Sequence, residues 1–226
     1  MAMLVLEEAC AAYGGKRAVG PVTLAVGEGE HVALVGRSGA GKSTLLSLLF
    51  DPARRELALM PQELGLVQTL SVFHNVYMGR LAAHGTWYNI ANLLRPFTRE
   101  VEQVSEVLDS LGMGAKLWSP VGELSGGQRQ RTAVARALYQ RASVLLADEP
   151  VSALDVTRSA DVMRAITDAY RTAVVAMHDV ELALRYCSRI VGIDGGLVAL
   201  DQPAKRLSVP DLLPLYEFEQ AVGQDA

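Results

Sequence analysis

The chain has 226 residues, 50% of them hydrophobic and 20% charged, with 21 basic against 25 acidic side chains and a formal net charge of -4. That length can bury a large core without disulfides or metals, and the charge balance excludes the basic footprint of a nucleic-acid binder. The two cysteines, Cys10 and Cys187, lack the paired spacing of a metal or disulfide framework and are expected to be reduced, inert core residues; no apolar run reaches the roughly 18 residues of a membrane-spanning helix.

Apolar runs alternate with helical patterns along the chain, which predicts an α/β fold with a largely parallel sheet. The start, MAMLVLEEACAAY, has no basic region of the kind a signal peptide carries, and residues 4–6 and 22–26 read as strands. Residues 31–35 form a short apolar run expected to be a buried strand. Directly after it come Gly36, Arg37, Ser38, Gly39, Ala40, Gly41, Lys42 and Ser43, the pattern G-x-x-x-x-G-K-S, and then a helical pattern over Thr44 and the residues to 50. Glycines let successive backbone N–H groups turn inward around phosphate oxygens, and a helix N-terminus adds favourable potential. Lys42 is positioned to reach the β- and γ-phosphates of a nucleotide, and Ser43 to ligate Mg²⁺.

From about residue 64 to 122 helical patterns dominate, with residues 98–111 the clearest, so the middle reads as a helical insertion. Leu64, Leu66 and Val67 are apolar in a turn-like stretch and serve either as packing or as a seat for a partner helix; Trp87, Tyr88 and Trp118 are expected to pack within this region, the alternative being a partner surface. Residues 144–147 are a third apolar strand, ending in Asp148 and Glu149. In P-loop ATPases such a strand places an Asp near the metal, and the next acid can accept a proton from the attacking water. Residues 157–171 repeat apolar positions at helical spacing, and 173–177 form another strand. Arg189 to Leu200 reads as a hairpin turning at Asp194, Gly195 and Gly196. His31, His74 and His84 match no motif and are expected to be structural or surface residues.

Between the middle and the acidic strand stands Leu124-Ser125-Gly126-Gly127-Gln128-Arg129-Gln130, which resembles the signature of ABC-type ATPases. That family implies a RecA-like P-loop NTPase core of α/β class, with a small antiparallel β region and an α-helical subdomain. Residues 1–63 and 135–226 fall to the core, and 64–134 to the helical subdomain. By the same resemblance Ser125, Gly126, Gly127 and Gln128 complete the ATP site of a second nucleotide-binding subunit, making a head-to-tail homodimer. Tyr13 stands where these ATPases place an aromatic ring against adenine. Gln62, in MPQE, resembles the glutamine that touches the metal or water, Asp155 belongs to a loop like the one along the dimer seam, and His178 resembles the switch histidine at the γ-phosphate. The cofactors implied are ATP and Mg²⁺, the metal being held by Ser43, Gln62 and Asp148. The partners implied are integral membrane permease subunits and, indirectly, a periplasmic or surface solute-binding protein. Such a subunit lies peripherally at the cytoplasmic face of the inner membrane.

The likeness covers residues 4–216 and is strongest to phosphonate-type importers, through PQELGLVQTLSVFHNVYMGRL, GTWYNIANLLRPF, LADEPVSALD and MHDVELALRYCSRIVGI. Non-transport members of the family carry a long coiled-coil insertion, tandem cassettes or a basic face, none of which is present here. One departure is the interval between Lys42 and Gln62, only 20 positions, where relatives commonly have a further hairpin and a basic helix. FDPARRELALM leaves room for a turn and one strand, so the β region is expected to be trimmed and the bracing of the segment after Gln62 is open.

Overall fold

A computed structural model describes residues 2–216; Met1 and residues 217–226 of the core range drawn above lie outside the described residues. The chain opens with β1 (Ala2–Tyr13) and β2 (Lys16–Gly27), an antiparallel pair pairing Leu4 with Val26 and Leu6 with Leu24. Along β2, Val22, Leu24 and Val26 are buried while Thr23 and Ala25 are exposed, the period of two expected of a strand with one face on a core. Both strands run well beyond the expected limits. Register shifts follow Leu6 and Ala9, and Glu8, at φ 48, donates its N–H to Thr23 Oγ1 at 3.1 Å, so the ladder continues past Glu7 and Glu8.

Next come β3 (His31–Val35), α1 (Lys42–Leu49) and β4 (Leu57–Met60). The helices α2 (Val72–Tyr77), α3 (Thr86–Leu94), α4 (Thr98–Ser110) and α5 (Gly126–Gln140) follow. The remainder is β5 (Val144–Asp148), α6 (Val156–Ala169), β6 (Thr172–Ala176), α7 (Val180–Tyr186), β7 (Arg189–Asp194), β8 (Leu197–Pro203) and the short α8 (Val209–Leu212). Six strands form one sheet in the order β4-β5-β6-β3-β7-β8, parallel except for the β7–β8 hairpin. The hairpin turns on Gly195 and Gly196, at φ 52 and 79, while Asp194 stays in the strand opposite Leu197.

Alternate residues of each central strand feed two cores. Ala33, Val35, Leu145, Ala147, Ala173 and Val175 face a cluster shared with α5, α6 and α7. Val32, Leu34, Val144, Leu146, Val174 and Ala176 face a second, closed by α1 and the inner face of the β1–β2 pair. Burying each such Val or Leu contributes about 1.5–3 kcal/mol, so strands apolar on both faces have nowhere else to go.

The first cluster continues into the helical region through Phe73, Val76, Val104, Leu108 and Val121. Helix α5 begins at a capping box, with Gln128 N–H donating to Ser125 Oγ and Ser125 N–H to Gln128 Oε1, and runs unbroken across residue 134 to Gln140. Of the turn and strand expected after α1, β4 adds to the edge of the main sheet beside β5. The segment after Gln62 is braced from two helices. Arg136 of α5 donates to the carbonyls of Leu64 and, at 2.8 Å, Gly65, while Asn75 of α2 accepts from Val67 N–H at 2.7 Å and donates back to its carbonyl at 3.0 Å.

Three expectations need correction or refinement. Leu64 and Leu66 pack against the core, leaving Val67 exposed. Trp87 is 84% exposed rather than packed, because it lies on the outer face of α3. Cys187 is buried as expected, but Cys10 is exposed, its strand position facing away from the core. Burial pushes the Cys187 thiol up to about 12, so it is poorly reactive on both counts. A maleimide should therefore label one thiol per native chain within minutes and the second only in denaturant; two thiols labelled at similar rates in the native protein would contradict this packing.

Candidate active site

The carboxyl ends of β3, β5 and β6 meet at one rim of the sheet, since Leu34 and Asp148 both lie opposite Ala176. From β3 the chain enters the glycine loop. Gly36 sits at φ 142, where an added Cβ would stand 2.2 Å from the Ile193 carbonyl oxygen, and Gly41 at φ 106, where it would meet Val19 and Ala18 at 2.8 and 2.9 Å. Only glycine fits at either point. Gly41 caps α1 without a side-chain bond, so the first amides of that helix have no intrahelical partner and point into the cleft.

Lys42 is 5% exposed and curls back over the loop, with Nζ donating to Gly36 O at 2.7 Å and Arg37 O at 3.0 Å. Burial lowers its pKa, while the carboxylates of Glu149 and Asp148 oppose that shift and favour the charged ammonium. Asp148 closes β5 and is 6% exposed. Burial pushes its carboxyl above the usual range, countered by a hydrogen bond from Ser43 and by the Lys42 charge. Its Oδ1 is buried without any hydrogen-bond partner. An orphaned carboxylate oxygen on a residue hydrogen-bonded to Ser43, at the edge of a cleft that Gln62 also lines, offers oxygen donors of the kind Mg²⁺ takes. Among the described residues no three His, Cys, Asp or Glu side chains could hold a metal by themselves, so the remaining ligands would be substrate oxygens or water.

Glu149 follows with φ 51, a left-handed backbone that a non-glycine residue keeps only where its surroundings hold it, at a cost of about 1–3 kcal/mol. Its N–H donates to Ala176 O at 2.9 Å, and its Oε1 lies 2.8 Å from His178 Nε2. His178 stands just beyond β6, held there by the bond from Met177 N–H to Leu34 O. A cleft of about 270 Å³ is lined by Ser38, Gly39, Gly41, Lys42, Ser43, Thr44, Gln62, Glu149 and His178. On the other side of Glu149 and His178 lies a second hollow of about 310 Å³, bordered by Ser152, Leu154 and Asp179.

Other predicted site residues lie elsewhere. Tyr13 is 64% exposed at the end of β1, on the same hairpin as Ala18, which lines the cleft. Ala40 is buried under the loop, and Asp155 caps α6 by accepting from Arg158 N–H at 2.9 Å. Ser125, Gly126, Gly127 and Gln128 form the start of α5 and line neither hollow. The amides of Gly126 and Gly127, in the first turn, have no intrahelical partner.

Two further residues touch the site without a role read from sequence. Tyr216 accepts from Gly36 N–H at 3.2 Å and its hydroxyl lies 3.4 Å from the His178 carbonyl oxygen; nothing local in the sequence signals it. Gln130 bonds the backbone of Glu149 and Ala153. Its signal was there to be read, a polar residue on the helix face otherwise filled by Ala133, Val134 and Ala137.

The profile of the ABC transporter family matches residues 19–52 and 50–152. Among curated relatives, the phosphonates import ATP-binding protein PhnC of Rhizobium meliloti is 35% identical over 98% of this chain and 89% of its own length, and that of Pseudomonas entomophila 40% identical over 95% and 92%. The PhnC of Anaeromyxobacter dehalogenans is 39% identical over 99% of this chain, which spans 50% of that relative's length. A dimeric bacterial ABC transporter cassette superposes with TM-score 0.78 at 26% identity, covering 89% of this chain and 99% of that one. A dimeric post-hydrolysis cassette bound to ADP and Pi superposes at 0.73, with 25% identity and the same coverage. The chain belongs to the ABC transporter family and carries its ATP-binding domain.

Proposed function

We propose that this chain binds Mg-ATP and hydrolyses it as one of a head-to-tail pair, driving import of phosphonate or a related phosphorus oxyanion through separate membrane subunits. The observation that carries the ATPase reading is the meeting of Lys42, Ser43, Asp148, Glu149 and His178 at one cleft. The names of the PhnC relatives support the phosphonate assignment, since the solute itself does not touch this subunit.

In this account the loop amides and the first turn of α1 take the phosphate oxygens, and Lys42 exchanges two neutral carbonyl acceptors for charged ones. Bound Mg²⁺ would neutralise charge on the β- and γ-phosphates, with Ser43, Asp148 and Gln62 as its protein ligands. Glu149 accepts a proton from the water that attacks the γ-phosphorus as the bond to the bridging oxygen breaks and ADP departs. His178 fixes the direction of that carboxylate and then meets the γ-phosphate. Tyr13 offers an exposed ring for adenine. Ser125, Gly126, Gly127 and Gln128, packed against the Ala153–Leu154 stretch that leads into Asp155, serve the partner's nucleotide rather than their own.

Coupling to membrane subunits needs an exposed apolar seat. Tyr77, Met78, Leu81, Ile90 and Leu93 line a groove of about 320 Å³ between α2 and α3, and Leu94 beside it is 80% exposed. This groove, rather than Leu64 and Leu66, supports the reading of a partner-helix seat. A periplasmic or surface binding protein upstream, and a place at the cytoplasmic face of the inner membrane, follow from an importer of this kind.

Replacing Glu149 with Gln should preserve ATP binding but slow phosphate release by about 10²–10⁴-fold, the worth of a positioned general base. Hydrolysis at the parental rate would remove Glu149 from that role. Leu93→Asp should leave the isolated subunit's ATPase rate within about twofold, as surface changes usually do, yet weaken co-purification with the membrane subunits and abolish methylphosphonate uptake into proteoliposomes. Parental assembly and uptake would rule out the groove as the seat.

A further inference from the structure

Gln130 lies one turn into α5 and is 3% exposed, on a side of the helix where Ala133, Val134 and Ala137 meet the core. A carboxamide so placed has no water to satisfy it, so its partners decide whether the site is tolerable. Its Nε2 donates to the carbonyl of Glu149 and, at 3.4 Å, approaches Ser152 Oγ, while its Oε1 accepts from Ala153 N–H at 2.8 Å. One side chain thus spans both ends of the turn that follows β5.

The residue it grips is the strained one. Glu149 keeps φ 51 because its peptides are tied on both sides: the N–H to Ala176 O in β6, and the carbonyl to Gln130 and to the Ser152 hydroxyl at 3.3 Å. Fixing both peptides fixes the Cα–Cβ direction, and that direction brings the carboxylate to His178. Ser152 alone cannot hold the carbonyl in this way, since it belongs to the same turn and moves with it. Gln130 belongs to a different, rigid element.

We infer that Gln130 is a positioning residue for Glu149, holding the carboxylate in its productive direction and tying that direction to the helix whose first turn faces the partner subunit's nucleotide. The inference rests on the proposed role of Glu149 as general base. Ser125, Gly126 and Gly127 lie about one helical turn from Gln130, so a displacement of the start of α5 on dimer closure reaches the Glu149 peptide through one side chain. Closure at one nucleotide is thereby felt at the base acting on the other.

The test compares Gln130→Met, nearly isosteric but unable to bond, and Gln130→Asn, which keeps the amide on a stem one methylene too short. Each is made in the parental chain and in Glu149→Gln, with ATP affinity, kcat, KM and thermal unfolding measured for all. Misdirecting the base should lower kcat roughly 10- to 100-fold, leave ATP affinity within about twofold, and add no further loss once Glu149 is Gln. Losses of equal size in both backgrounds would mean a general structural role and overturn the inference. Parental kcat in a folded Gln130→Met or Gln130→Asn, beside a slow Glu149→Gln, would overturn it while leaving the base assignment intact. A Glu149→Gln variant at the parental rate would remove the base, and the positioning role with it. Should the Met variant fail to fold, the Asn variant decides on the same criteria.

Discussion

The structure depends on the register of three parallel strands. β3, β6 and β5 are apolar on both faces, and each alternate residue is committed to one of two cores, so a slip by one position would exchange every side chain between them. With the register held, Leu34, Ala176 and Asp148 end level, and the chain must leave the sheet at one rim. Polar groups that could not survive within those strands are delivered there together: the glycine loop from β3, the two carboxylates from β5 and the histidine from β6. The cleft is a consequence of how the sheet ends.

A second constraint is laid across the first by α5. Its first turn carries the signature residues, Gln130 grips the Glu149 peptide, Arg136 braces the segment after Gln62, and Gln140 donates to the Leu57 carbonyl of the edge strand at 3.1 Å. Burial lowers the Arg136 pKa, a cost offset by its two backbone acceptors. A helix is stiff along its axis, so these contacts cannot move independently. On the proposed function, nucleotide, partner face and the segment leading to the helical region would share one lever, which would give a physical meaning to coupling between ATP and the membrane subunits. The short interval between Lys42 and Gln62 is compatible with that arrangement, because the bracing comes from α5 and α2 rather than from added strands.

Much of this was legible in the sequence because the governing patterns are local. The central strands read as short apolar runs, the glycine loop as a fixed spacing, and the hairpin as a glycine pair between two runs. What was not legible depends on tertiary context. The length of β1 and β2 turns on bulges that carry Glu7 and Glu8 through the ladder, a matter of pairing rather than composition. Whether Leu66 or Leu93 faces solvent depends on which helix lies above it. Cys10 alternates outward on a strand whose inner face could be assigned only once its partner was known. Gln130 stands within the signature, but its importance comes from a turn 19 positions away in the chain. Tyr216 reaches Gly36 from 180 positions away and leaves no local trace.

On the proposed function, each ATP site is shared between two subunits. A Cβ at Gly126 would find only Ala153 Cβ, at 3.9 Å, so a side chain can start there without a clash and would project from the first turn of α5 toward whatever docks against it. The most direct measurement mixes Gly126→Trp with Lys42→Ala and follows phosphate release. A head-to-tail pair of the two has one site with both lesions and one with neither, so the account predicts that each variant alone is inactive and that activity returns on mixing. A mixture no more active than the sum of its components would contradict it.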